Sequence, residues 1–245
     1  GAMGIALSHL APAELRKENQ ELDAEAARLY QGYYRILRLA NNLADAASIE
    51  DADPLPLKNC DMVRVVEEIY RRALPQAELI GVGLEFVCAE PYHVAAMNLR
   101  GLDRLVLNLL SNAFKFTPRG GQVRIELKFS RKLGFLSVAD NGKGMSTQQL
   151  EQLFSPRGNE GGIRTPHGMG LGLPTCRRIA RGIGGSLLVE SREGHGTRVT
   201  CSFPDKRVEG KVEDPMVFYA GGLNPTLLEL ADALPEAAFS WSNMD

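Results

Sequence analysis

A chain of 245 residues with 44% hydrophobic side chains is long enough for one substantial domain plus an appendage, and it can bury a core of its own. A formal net charge of -2 and a pI near 6.2 offer no general attraction to nucleic acid or an anionic membrane, so any nucleotide needs a built site. No apolar run approaches the roughly 20 residues that span a bilayer and no signal peptide is visible, which predicts a cytoplasmic protein. Cys60, Cys88, Cys176 and Cys201 lack CxxC spacing and sit among apolar neighbours, which reads as reduced core thiols without structural zinc. The opening Gly-Ala-Met-Gly (1–4) looks like a tag-cleavage scar, so a sensor or membrane anchor is expected, if anywhere, upstream of Ile5.

From Leu15 to Ala47 apolar residues recur at heptad spacing: Leu15, Leu22, Leu29, Ile36 and Leu43, with Ala26, Tyr33, Ala40 and Ala47 four later. This predicts a long helix over 5–52 with a coiled-coil or bundle seam, and a homodimer formed through it. Asp53-Pro54 and Pro56 end the run. A globular domain is expected from 57 to 204. Asp61 caps a helix to about Ala77, which Pro75 bends or ends. Strands follow at Gly81 to Cys88 and Val94 to Met97, then a helix from Leu99 to Phe116 stopped by Thr117-Pro118-Arg119-Gly120-Gly121.

Alternating apolar residues predict strands at Gln122 to Phe129 and Leu133 to Ala139, the second running into Asp140-Asn141-Gly142-Lys143-Gly144. The glycine-rich stretch from Gly142 to Gly172 holds a short helix near Thr147 to Leu153 and otherwise reads as a lid. Gly168-Met169-Gly170-Leu171-Gly172 opens a helix to about Arg181, and strands at Ser186 to Ser191 and Thr197 to Phe203 form a hairpin. From Asp205 to Asp245 the composition shifts, and this reads as an extension of unassigned role.

Three features carry chemistry. On the helix from Leu99, Asn108, Asn112 and Lys115 fall at i, i+4 and i+7 on one face, while Leu105, Leu109 and Ala113 turn to a core. A metal-bound polyphosphate satisfies such a stripe, with Asn112 as a hard oxygen ligand for Mg²⁺ and Lys115 as a point charge for phosphate. Asp140 ends an apolar strand before two glycines, where a carboxylate can accept a hydrogen bond from an exocyclic amine such as that of adenine. Gly168, Gly170 and Gly172 lead into a helix N-terminus, whose unpaired N–H groups and dipole suit phosphate.

An Asn-x-x-x-Asn helix, an Asp-x-Gly-x-Gly loop, a Phe segment, Gly-x-Gly-x-Gly and a Gly-x-Gly-Thr hairpin follow one another in this order. From about Leu57 to Pro204 the chain resembles the ATP-binding domain of sensor histidine kinases, in the GHKL superfamily shared with DNA gyrase, MutL and anti-sigma-factor serine kinases. The resemblance implies a Bergerat-type α/β sandwich, a mixed and mostly antiparallel sheet covered by helices on one face. It makes Asn108 and Asn112 the N box, with Lys115 beside them as catalytic and ATP-binding groups and Asn112 as the Mg²⁺ ligand. Asp140, Gly142 and Gly144 match the adenine-binding G1 box, and Phe154 the F box. Gly168, Gly170, Leu171 and Gly172 match the phosphate-facing G2 box, and Thr197 closes the hairpin motif. Arg157 and Arg164 are further candidates for charge neutralisation.

The implied activity is transfer of the ATP γ-phosphoryl to a histidine and on to a response regulator's receiver domain, with ATP and Mg²⁺ as cofactors. Hydrolysis of the gyrase type is disfavoured, because those enzymes place a Glu base where this chain has Asn108. Residues 35–43 read like the second helix of a phosphotransfer hairpin. His9, in Ser-His-Leu-Ala-Pro, lacks the acidic neighbour of a phosphoacceptor, so the acceptor is expected outside these 245 residues. The alternative is a degenerate, nucleotide-responsive scaffold acting through its dimer helix.

Overall fold

A computed structural model describes residues 56–154 and 172–215. The expected helix over 5–52, residues 155–171 and the chain beyond 215 lie outside the described residues.

The first strand, β1 (Lys58–Asp61), runs into α1 (Met62–Ile80), and Asp61 caps that helix by accepting the Val63 N–H at 3.1 Å. Pro75 lies within α1 and does not end it. Its missing N–H removes one rung of the ladder, but Ala73, Ala77 and Leu79 are buried on either side and hold the last turn by packing. The helix then closes on Gly81 N–H to Glu78 O and Val82 N–H to Ala77 O. Because Gly81 and Val82 serve that closure, β2 (Gly83–Cys88) starts two residues later than the alternation predicts.

Next come β3 (Val94–Met97) and α2 (Leu99–Phe116), whose Asn98 cap accepts the Gly101 N–H at 2.7 Å. The remainder is β4 (Gln122–Ser130), β5 (Leu133–Asp140), α3 (Thr147–Phe154), α4 (Gly172–Gly182), β6 (Ser186–Arg192) and β7 (Gly196–Pro204). Each lies within about two residues of its expected bounds.

The main sheet has the order β2-β4-β5-β7-β6, with β2 and β4 parallel and the other pairs antiparallel. Val123, Ile125 and Leu127 of β4, Leu136 and Val138 of β5, Val189 of β6 and Val199, Cys201 and Phe203 of β7 fill one face. Helices α1, α2 and α4 cover it with Val65, Ile69, Leu105, Leu109, Cys176 and Ala180, in one continuous cluster. The other face is polar. Glu126 pairs with Lys128 at 2.8 Å and Arg198 at 3.3 Å, and Arg124 pairs with Glu85. One covered face and one wet face make this the mixed α/β sandwich the motif order implied.

A second sheet was not legible. β1 pairs antiparallel with β3 and parallel with a two-residue strand, β8 (Val212–Glu213). Residues 205–213, expected as the start of a packed extension or a tail, are stitched onto the domain. Buried Asn59 donates from Nδ2 to Val208 O (2.8 Å) and Gly210 O (3.1 Å), and its Oδ1 accepts the Val208 N–H (2.9 Å). His93 Nε2 lies 2.8 Å from Asp205 Oδ1, and its ring stacks on Phe129 with centroids 3.6 Å apart. The stitching joins residues about 150 positions apart through side-chain bonds, which leaves no periodic trace. All four cysteines are free, and Cys88 is half-buried where a core position was expected. Among the described residues no helix is long and apolar enough to cross a membrane.

Candidate functional site

Helix α2 carries the polar stripe as its periodicity requires. Leu105, Leu109 and Ala113 are 0%, 2% and 4% exposed, while the stripe emerges gradually: Asn108 is buried at 9%, Asn112 is intermediate and Lys115 is exposed. Neither Asn108 nor Asn112 has a side-chain hydrogen bond among the described residues. Two carboxamides on the rim of a buried helix face, with their donors and acceptors uncommitted among the described residues, are free to bind a ligand. The N-terminus of α4 faces the second of them, since a Cβ on Gly172 would lie 3.5 Å from Asn112 Nδ2. The first turn of an 11-residue helix, where N–H groups lack helical partners, therefore lies beside Asn112.

Positive charge gathers nearby. Lys115 Nζ lies 4.7 Å and Lys143 Nζ 4.9 Å from the centroid of Phe116, the last residue of α2. Unmet amides, a helix N-terminus and two ammonium groups form a donor set suited to an anion carrying a metal ion, so the residues present fit Mg²⁺-bound polyphosphate.

The second half of the site comes from register. Along the covered face of the sheet the inward positions are apolar until the last rung, where Asp140 of β5 lies opposite Thr197 of β7, and Thr197 opposite Ser191 of β6. Three adjacent strands turn polar together, at the end where β5 enters the Asp140–Gly144 loop. Asp140 Oδ1 accepts the N–H groups of Gly142 (2.9 Å) and Thr197 (3.3 Å), while Oδ2 receives no hydrogen bond from the described residues. Burial raises this carboxyl above its ordinary value, and the two N–H groups partly offset the rise. One oxygen is thus fixed by the backbone, and the other remains to accept.

The loop is wedged between α2 and the β6–β7 hairpin. Lys143 N–H donates to Phe116 O at 3.2 Å, and Gly194 N–H donates to Lys143 O at 2.8 Å. A Cβ on Gly142 would meet Phe116 O at 2.3 Å, so glycine is required there by the approach of protein backbone. Gly144 (φ +63°) and Gly196 (φ +85°) occupy the left-handed region, and added Cβ atoms would fall 2.0 Å from Arg192 O and 1.8 Å from Asp140 O respectively.

The structure thus brings together Asn108, Asn112, Lys115 and Gly172 on one side and Asp140, Gly142, Gly144 and Thr197 on the other, joined through Phe116. Phe154 ends α3. Gly168, Gly170, Leu171, Arg157 and Arg164 lie outside the described residues. Sequence reasoning missed Lys143, and it missed Ser191, whose Oγ accepts the Met145 N–H just after the loop at 2.9 Å. The signal for Ser191 was present: Leu187 and Val189 share its inward phase on β6, and it breaks their pattern with a hydroxyl.

Residues 97–207 match the family model described as histidine kinase-, DNA gyrase B- and HSP90-like ATPase. The histidine protein kinase DivJ of Caulobacter vibrioides is 36% identical over 185 residues, which is 74% of this chain and 31% of DivJ. The chain therefore spans about a third of that relative's length. Full-length ShkA in complex with AMPPNP superposes with a TM-score of 0.57 at 22% identity, over 85% of this chain and 42% of ShkA. Histidine kinase ThkA in complex with response regulator TrrA gives 0.54 at 21%, over 80% and 52%. Motif order, sheet order and relatives agree: residues 97–207 belong to the histidine kinase-, DNA gyrase B- and HSP90-like ATPase family, and the chain carries the ATPase domain of the histidine kinase branch.

Proposed function

We propose that this domain binds Mg-ATP as the catalytic domain of a two-component sensor histidine kinase. Asp140 accepts a hydrogen bond from the adenine amine through Oδ2, and the Gly142 and Thr197 N–H groups hold that carboxylate in place. Asn108 and Asn112 line the phosphate side, where Asn112 would ligate Mg²⁺ and Lys115 would contact phosphate. The N-terminus of α4 at Gly172 adds its dipole, and the motif order adds Phe154, Gly168, Gly170 and Leu171 to the ATP-binding residues. Bound Mg-ATP supplies the γ-phosphoryl that passes to a histidine and then to an aspartate of a response regulator's receiver domain. The chain's own contribution is position and charge: it holds the polyanion, neutralises it and keeps competing donors and acceptors away from the base.

The observation that carries this reading is the pair Asn108 and Asn112 on one face of α2, without side-chain hydrogen bonds among the described residues and with Asn112 beside Gly172 at the start of α4. Residues 57–204 make up the catalytic domain in this proposal, with 205–215 packed onto it, and 5–52 supply the homodimer helix. The complex that ThkA forms with TrrA supports a receiver domain as partner.

Incubating the full-length protein with γ-labelled ATP and Mg²⁺ tests the proposal. Acid-labile, base-stable label is expected on the wild type and absent from Asn112→Ala. Tight ATP binding with no such label would leave only the scaffold reading.

A further inference from the structure

Ser191 Oγ makes three contacts at 2.9 Å: with Met145 N, Gly196 O and Thr197 Oγ1. A hydroxyl has one proton and two lone pairs, so three partners saturate it. The chemistry of the partners then fixes every proton. Met145 N–H can only donate and takes one lone pair. Gly196 O can only accept and takes the Ser191 proton. The contact with Thr197 has to be made by the Thr197 proton, given to the remaining lone pair of Ser191. The reverse orientation would put two oxygens, Ser191 Oγ and Gly196 O, 2.9 Å apart with no proton between them.

Thr197 Oγ1 is consequently left with lone pairs only. Its backbone N–H is already committed to Asp140 Oδ1 at 3.3 Å, and Asp140 is its partner across β5 and β7. Two neighbouring groups on the polar rung thus offer acceptors and no donor. A ligand edge carrying N–H is matched there, whereas an edge carrying C=O finds nothing to bond.

We infer that Ser191 is a specificity-determining positioning residue: it orients the Thr197 hydroxyl as an acceptor, so that the site selects a purine with a 6-amino group over one with a 6-oxo group. The inference rests on the ATP reading above and adds to it the device that sets base polarity. Ser191 need not touch the nucleotide. Its effect passes through one proton.

The test is calorimetric titration of the chain with ATP and with ITP, its 6-oxo counterpart, in the presence of Mg²⁺. Wild type is expected to prefer ATP. In Ser191→Ala the Thr197 proton is free to turn toward the ligand, so the ATP-to-ITP affinity ratio is expected to fall roughly tenfold. Ser191→Thr keeps the hydroxyl and is expected to keep the ratio. A merely structural role for Ser191 would weaken both nucleotides equally and leave the ratio intact, and that result overturns the inference. Should Ser191→Ala fail to fold, Thr197→Val removes the acceptor directly. A lowered ratio there supports the inference, and an unchanged ratio overturns it. Failure of wild type to bind either nucleotide overturns the ATP reading and this inference together, whereas binding with a ratio indifferent to Ser191 and Thr197 overturns the inference alone.

Discussion

Replacing Asp140 by asparagine removes a charge while keeping the shape, and the structure dictates how the new amide must sit. Oδ1 accepts the N–H groups of Gly142 and Thr197. An asparagine has to present its oxygen to those two donors, because the flipped amide would set N–H against N–H. Its Nδ2 is thereby forced to where Oδ2 stood, facing the ligand. An adenine amine then meets a donor where it had a charged acceptor. Losing a hydrogen bond to a charged group costs about 1.5–3 kcal/mol, which is roughly a 10- to 150-fold loss of ATP affinity.

The fold should not suffer from this change, since both backbone bonds survive. Burial raises the Asp140 carboxyl, so the folded chain holds that proton more readily than the unfolded chain does. The stability linked to that proton is present at low pH and is lost as pH rises through the raised value. Asparagine carries no such dependence. The melting temperature of Asp140→Asn relative to wild type is therefore expected to climb from acid to neutral pH while ATP affinity falls. Calorimetric titration with thermal melts at several pH values reads both. Unchanged ATP affinity in a folded variant would refute the assignment of Asp140 to the base.

Asn112→Ala leaves nothing unsatisfied behind it, so its melting temperature should stay within about 0.5 kcal/mol equivalent of wild type. The tightening of ATP binding by Mg²⁺ should disappear, as titrations with and without the metal would show. Gly196→Ala places a side chain at φ +85° with its Cβ 1.8 Å from Asp140 O, and backbone strain plus overpacking predict a loss of about 2–6 kcal/mol in denaturant unfolding. Asn59→Ala removes three hydrogen bonds from a buried position, for about 1.5–4 kcal/mol. It should also expose residues 205–215 to limited proteolysis without changing ATP affinity.

The parts of this molecule that were legible in its sequence are those where one local period decides the outcome. Helix α2 is bounded as its pattern predicts, because Leu105, Leu109 and Ala113 mark a buried face at helical spacing and Pro118 stops the chain. Strands β4, β6 and β7 alternate for the same reason. Pro75 does not end α1 because tertiary burial of Ala73, Ala77 and Leu79 outweighs one missing hydrogen bond. The β3-β1-β8 sheet was invisible because β8 is two residues long and is held by Asn59, far away in the chain.

At the site, Asn108, Asn112 and Asp140 stood out as polar residues in apolar phases. Ser191 obeyed the same rule at the end of β6, but its importance depends on cross-strand register, which only the paired sheet reveals. Gly142 and Gly144 were singled out for the approach of a flat ligand, and the structure gives a local reason for glycine at both: they admit the Phe116 and Arg192 backbone oxygens.

The most direct measurement is calorimetric titration of the wild-type chain with ATP, with and without Mg²⁺. The account predicts saturable, single-site binding that tightens when Mg²⁺ is added, as the unpartnered amides of Asn108 and Asn112 take up the metal-bound phosphates. No heat of binding at millimolar ATP, with the domain shown to be folded by its melting transition, would contradict it.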